Sequence, residues 1–134
     1  MTNTKPMDRK VLLSTLWIFA IFNYIYADIF NLFFDPAAQT ASAGMTAGAL
    51  LFFAVAMETS ITMVVLSRLL KRGANRWANI AAGIFNTALV TYTLVGETPM
   101  PFYVFFVVVE IACTLLITWL ALRWKPADGS AVRA

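Results

Sequence analysis

Arg68-Leu69-Leu70-Lys71-Arg72-Gly73-Ala74-Asn75-Arg76-Trp77 sets four cations between two long apolar runs. Cations in that position end one helix in water and start the next. Gly73 and Asn75 add a helix-stopping turn over residues 71–76. Upstream lies the apolar segment 46–70 and downstream the segment 77–95. Working outward, two more appear at 11–34 and 101–122. An α-helix needs roughly 20 apolar residues to cross about 30 Å of hydrocarbon, and all four segments are near that length. None alternates like a membrane strand, and a helix is the non-barrel structure that satisfies every backbone group in lipid.

The connections are short. Residues 35–45 hold Pro36, Gly44 and many small residues, and residues 96–100 hold Pro99. Short connections make neighbouring helices antiparallel. The reading is a single domain over residues 1–134, an all-α, four-transmembrane-helix antiparallel up-down bundle. Composition agrees: 60% of the chain is apolar and 13% is charged, against about half and a quarter in soluble domains.

The ten Lys and Arg residues all fall on one side of this bundle. Lys5, Arg9 and Lys10 precede the first segment, and Arg123, Lys125 and Arg133 follow the last. The other two loops carry only Asp35 and Glu97. Cytoplasmic loops are the ones enriched in Lys and Arg, so both termini and the middle turn are expected in the cytoplasm. Trp77, Trp119 and Trp124 lie near the same boundary, as interfacial anchors do. The membrane expected is a bacterial inner membrane. The net charge of +3 therefore reports topology and not nucleic-acid binding. Ala41-Ser42-Ala43 imitates a signal-peptidase site, but the 24-residue apolar run before it exceeds the roughly 7–15 of a signal h-region. It is expected to stay as a helix. A faint repeat pairs Ile29-Phe30-Asn31 with Ile84-Phe85-Asn86, and Glu58 and Thr62 with Glu110 and Thr114.

Three carboxylates lie inside the apolar segments: Asp28, Glu58 and Glu110. A charge at the centre of a membrane helix costs about 2.5–3.5 kcal/mol on insertion scales, so such groups turn toward an interior or toward water. Counting from the flanking arginines at about 1.5 Å per residue puts Glu58 and Glu110 near mid-membrane and Asp28 in the outer half. Polar residues share their helix faces: Tyr24 and Asn31 with Asp28, Thr62 with Glu58, and Tyr103, Cys113 and Thr114 with Glu110. Asn75, Asn79, Gly83 and Asn86 make a stripe on the third helix. Together these predict a polar seam facing inward. No Lys, Arg or His lies at that depth. The carboxyls are thus expected to be neutral, to share a proton or to hold a cation. The plainer reading has neutral carboxyls joining helices through Asn, Thr and Tyr.

Other signals bound the chemistry. There is no His, which removes the usual general base and commonest metal ligand. The lone Cys113 cannot form an intrachain disulfide and reads as packing. No phosphate loop, dinucleotide fingerprint, serine elbow or metal motif occurs, so no cofactor is expected. Gly44 and Gly48 form a GxxxG, a candidate homodimer contact. The basic rim suits anionic lipid head groups.

The runs Leu13-Ser14-Thr15-Leu16-Trp17-Ile18-Phe19, Tyr26-Ala27-Asp28-Ile29, Met57-Glu58, Leu66-Ser67-Arg68, Asn75-Arg76-Trp77-Ala78-Asn79-Ile80 and Glu110-Ile111-Ala112-Cys113-Thr114 resemble short bacterial four-helix membrane proteins of unknown function, loosely grouped with DoxX-like proteins. The resemblance spans nearly the whole chain and implies the fold without an activity. A weaker likeness is to EXPERA-type four-helix domains, whose carboxylates line a membrane cavity for sterols or cationic amines. It would give Asp28 and Glu58 that role, and it is an architectural analogy.

The expected function is a carboxylate-lined intramembrane cavity that binds or transports a cation, a proton or a cationic, lipid-like small molecule. Its expected residues are Tyr24, Asp28, Asn31, Glu58, Thr62, Asn86, Glu110 and Thr114. The alternatives are a non-catalytic structural or accessory subunit and a lipid-modifying isomerase.

Overall fold

The structure, a computed structural model, describes residues 7–95 and 98–125. Lys5, Glu97 and Arg133 lie outside the described residues. Five helices and no strands occur among the described residues: α1 Arg9–Phe34, α2 Pro36–Ala43, α3 Ala47–Leu69, α4 Arg72–Tyr92 and α5 Pro101–Leu122. The helix α5 has the expected bounds, and α1 and α3 begin or end within two residues of theirs.

Several boundaries have a local cause. Asp8 caps α1, its carboxylate accepting from the Lys10 amide at 3.2 Å. Pro36 disfavours helical geometry at the residue before it, and Asp35 is extended. The same Asp35 then caps α2 by accepting from the Ala37 and Ala38 amides. Residues 35–45 are therefore a stop, an eight-residue helix and a second turn, where the sequence reading expected a plain loop. A proline at the first helical position has a pre-set φ and no orphaned N–H, which restarts the helix. The cap of α3 is Thr46 Oγ1, 3.2 Å from the Ala49 amide.

The middle turn differs from expectation too. Gly73 and Asn75 lie inside α4, which starts five residues earlier than residue 77 and ends three before residue 95. The reversal is confined to the extended residues Leu70 and Lys71. Asn75 explains the tightness: its side-chain amide donates to the carbonyls of Ser67 at 2.6 Å and Leu70 at 3.3 Å. It thereby satisfies carbonyls that the end of α3 leaves without helical partners.

The helices α1, α3 and α5 are long and apolar enough to cross a membrane. The helix α4 is long but more polar, because its Asn75, Asn79, Gly83 and Asn86 stripe is buried within the protein. Helix α1 packs on α3 and α5, and α4 packs on the same two. Contacts fix the directions. Ser60 reaches Asn86 and Ser67 reaches Asn79, so α3 and α4 run antiparallel. Arg9 meets Leu120, Leu16 meets Cys113 and Phe30 meets Phe106, so α1 and α5 do too.

The core is Leu13, Trp17, Ala20, Val107 and Ile117, all fully buried, threaded by polar side chains. Trp17 Nε1 donates to Asn79 Oδ1 at 2.8 Å, and the Asn79 amide donates to Asn75 Oδ1 at 2.6 Å. Gly83 lets α4 approach α5 closely: a Cβ there would collide with the Thr118 hydroxyl and lie 3.3 Å from the Thr114 carbonyl.

The basic end is bound into the fold. Arg9 donates to the Leu120 carbonyl, Arg72 to that of Trp124, and Arg76 to those of Ala121 and Leu122. Three guanidinium groups thus serve the carbonyls that end α5, where a helix dipole favours cations. Arg76 and Arg123 also lie over the rings of Trp77 and Trp119.

Candidate functional site

Beyond the Asn75–Trp17 layer the interior opens. A cavity of about 410 Å³ lies between α1, α3, α4 and α5. Its walls are mainly apolar, including Leu50, Phe53 and Met57 of α3 and Leu89 and Val90 of α4. Tyr24, Asp28, Asn86, Thr93, Tyr103 and Glu110 supply its polar groups.

Glu110 is 3% exposed, and its Oε1 has no hydrogen-bond partner among the described residues. The Tyr24 hydroxyl, also buried, has none either. Most buried polar groups are satisfied, so two orphans lining one cavity need an explanation. Asn86 by contrast is used up by the fold. Its Oδ1 accepts from Ser60 at 2.8 Å, and its amide donates to the Ala82 carbonyl at 2.9 Å and to Thr59 Oγ1 at 3.3 Å. Among the described residues, no Lys or Arg lines the cavity.

A second cavity, about 590 Å³, lies beneath α2 and is lined by Asn31, Asp35, Gln39 and Ser42 among others. Asp28, Met45, Thr93 and Tyr103 line both spaces, so the two adjoin there. Asp28 is exposed at this junction, whereas Glu110 lies buried in the inner cavity. Asn31 Oδ1 is buried without a partner on the outer side.

Of the eight residues expected at a site, Tyr24, Asp28, Asn86 and Glu110 meet in the inner cavity and Asn31 stands in the outer one. Thr114 is fully buried one turn from Glu110 and lines neither cavity. Its hydroxyl lies 3.0 Å from the Glu110 carbonyl and 2.7 Å from Thr87 Oγ1, a packing contact between α4 and α5. Glu58 and Thr62 are elsewhere: both are exposed on the outer face of α3 and neither lines a cavity. The expected meeting of Glu58 with Glu110 is thereby corrected. The reason is helical phase. Ala56, Ser60, Met63 and Ser67 form the buried face of α3. Glu58 stands two residues from both Ala56 and Ser60, about 200° around a helix of 3.6 residues per turn.

Tyr103, Thr93 and Met57 line the cavity and were not among the expected residues. Tyr103 had a legible signal, being on the face of Glu110. Thr93 had none, since it follows the last residue of α4 and its direction depends on that helix end. Cys113 is buried with its thiol 3.2 Å from the Leu16 carbonyl, in keeping with packing.

The chain belongs to a family of unknown function, DUF6326. The match covers residues 4–131, nearly the whole chain. No curated protein and no solved structure matches the chain. The DoxX-like and EXPERA-type likenesses therefore rest on the short motifs alone, and membership in DUF6326 brings no activity with it.

Proposed function

We propose that this chain is a four-transmembrane-helix antiparallel bundle whose inner cavity binds a small lipophilic cation. The termini and the Leu70–Lys71 turn face the cytoplasm, by the one-sided placement of Lys and Arg. The helix α4 crosses with the others because its polarity is turned inward, while Ile84, Phe85 and Tyr92 on its outward side are exposed. The compartment is a bacterial inner membrane.

The observation that carries the reading is the orphaned Glu110 oxygen in a cavity with apolar walls. A carboxylate removed from water is costly unless it is paired. An ammonium group with an apolar body would supply the missing charge and donor to Glu110 and cover the walls with its body. A volume of about 410 Å³ falls within the roughly 300–1,000 Å³ of small-molecule sites. Asp28 at the junction of the two cavities gives the cation a first partner on the way in from the outer side. This arrangement favours binding over a purely structural role, in which the carboxyl would be joined to a neighbouring helix.

The test is titration of the protein in lipid nanodiscs with N,N-dimethyloctylamine. Saturable binding is expected, weakened at least tenfold in Glu110→Gln with its unfolding temperature nearly unchanged. Glu58→Gln should bind as the wild type does. Wild-type affinity in Glu110→Gln overturns the proposal, and an unfolded Glu110→Gln assigns the carboxyl to structure.

A further inference from the structure

Glu58 is the carboxylate that the cavity leaves out. It lies eleven residues from either end of α3, at the middle of a helix apolar enough to span a membrane. Eleven residues correspond to about 16 Å of helix, half a bilayer core. Its surroundings on the outer face are Leu51, Val55, Ile61 and Val65, all exposed, with exposed Thr62 one turn away. No hydrogen bond or ion pair to Glu58 occurs among the described residues. A membrane-embedded acid normally faces a bundle interior or water, and this one faces neither in a single copy.

We infer that the Glu58 face of α3 is the contact surface for a second copy of this chain. The inference rests on α3 spanning the membrane and is independent of what the cavity binds. Self-complementarity selects the partner. In a twofold contact the same patch meets itself, so Glu58 stands opposite Glu58 at equal depth whatever that depth is. A neutral carboxyl carries one donor and an acceptor, so two of them satisfy each other, and Thr62 adds a hydroxyl on either side. Any other partner would have to bring a polar group to that same depth.

The face also permits close approach. Ala47, Gly48 and Ala54 continue it toward the outer end and are exposed. A Cβ added to Gly48 meets nothing nearer than Thr46 Oγ1 at 4.0 Å, so the fold of one copy does not require a glycine there. Small residues are what membrane helices use to pack tightly. The GxxxG reading is altered accordingly. Gly44 caps α2 and is not part of α3, so the contact is centred on Glu58 and only Gly48 of the pair belongs to it.

Self-crosslinking tests this. Single cysteines are placed in a Cys113→Ala background at Val55 and Thr62 of α3, and at Leu116 on the exposed side of α5. The protein is reconstituted in phosphatidylcholine vesicles at low density, shown to resist carbonate extraction, and oxidised with copper phenanthroline. Dimer yield from Val55→Cys or Thr62→Cys should exceed that from Leu116→Cys at least tenfold. Adding Glu58→Ala should cut the yield severalfold, and Glu58→Gln, which keeps a donor and an acceptor, should restore it. Equal yields on both helices, or no effect of Glu58→Ala, overturns the inference. A monomer in vesicles that crosslinks to a different protein in native membranes overturns it in favour of a foreign partner. Extraction by carbonate would instead break the membrane reading on which it rests.

Discussion

Asn79 shows how one side chain serves several neighbours. Its oxygen accepts from Trp17 at 2.8 Å and from Ser67 at 3.3 Å, while its amide donates to Asn75. Such bonds between membrane helices average about 0.6 kcal/mol and reach about 1.7. Removing the shared partner orphans several groups at once, which costs more than one bond. Asn79→Ala should therefore lower the unfolding free energy by about 2–3 kcal/mol, against about 1 kcal/mol for Trp17→Phe. A double-mutant cycle read by unfolding in mixed micelles should give a coupling near 1 kcal/mol, whereas additive losses would mean the bond contributes nothing. Asn86 differs from Glu110 in the same terms. The amide has its partners among α3 and α4, and the carboxyl oxygen has none. That contrast separates structural polarity from candidate function.

Between elements, α4 approaches α5 closely at Gly83. Any side chain there must displace the Thr118 hydroxyl or the Thr114 backbone, and the second cannot move without shifting Glu110 one turn away. Overpacking of this kind costs about 1–3 kcal/mol. Gly83→Val should thus lower thermal stability and also weaken amine binding. Gly73→Ala, at a position with nothing within 4 Å, should leave both intact, and a harmless Gly83→Val would show that the two helices separate freely. A cap or a proline marks the helix ends at Asp8, Thr46 and Pro101. Helix ends were misread at residues 71–76, where Gly73 and Asn75 look like a stop. The Asn75 side chain in fact reaches back to α3 while its own backbone continues α4.

For the whole molecule, the one-sided cations predict an orientation that labelling can check. Gln39 on α2 and Gly73 on α4 are both exposed. In a Cys113→Ala background, Gln39→Cys should react with a membrane-impermeant maleimide on intact cells, and Gly73→Cys only after permeabilisation. The reverse pattern would invert the protein. The arginines that signal this orientation also hold the end of α5, through Arg9, Arg72 and Arg76. Replacing them to flip the topology would weaken the fold as well.

The long apolar helices, the helical class and the inward turn of the Asn75–Asn86 stripe were determined by the sequence itself. Length, hydropathy and a 3.6-residue period are local properties that no tertiary contact can reverse. The period also placed Tyr24, Asp28 and Asn31 on one face of α1. It could not say which face of α3 would be buried. Ala56, Ser60, Met63 and Ser67 compete there with Glu58 and Thr62, and a rule that polar residues turn inward chooses the wrong stripe. The tertiary structure decided it through packing. Ala56 and Ser60 are buried, and Ser60 finds Asn86 of α4 across the interface. Hence Glu110 and Glu58, alike in sequence, were separated into an interior acid and a surface one.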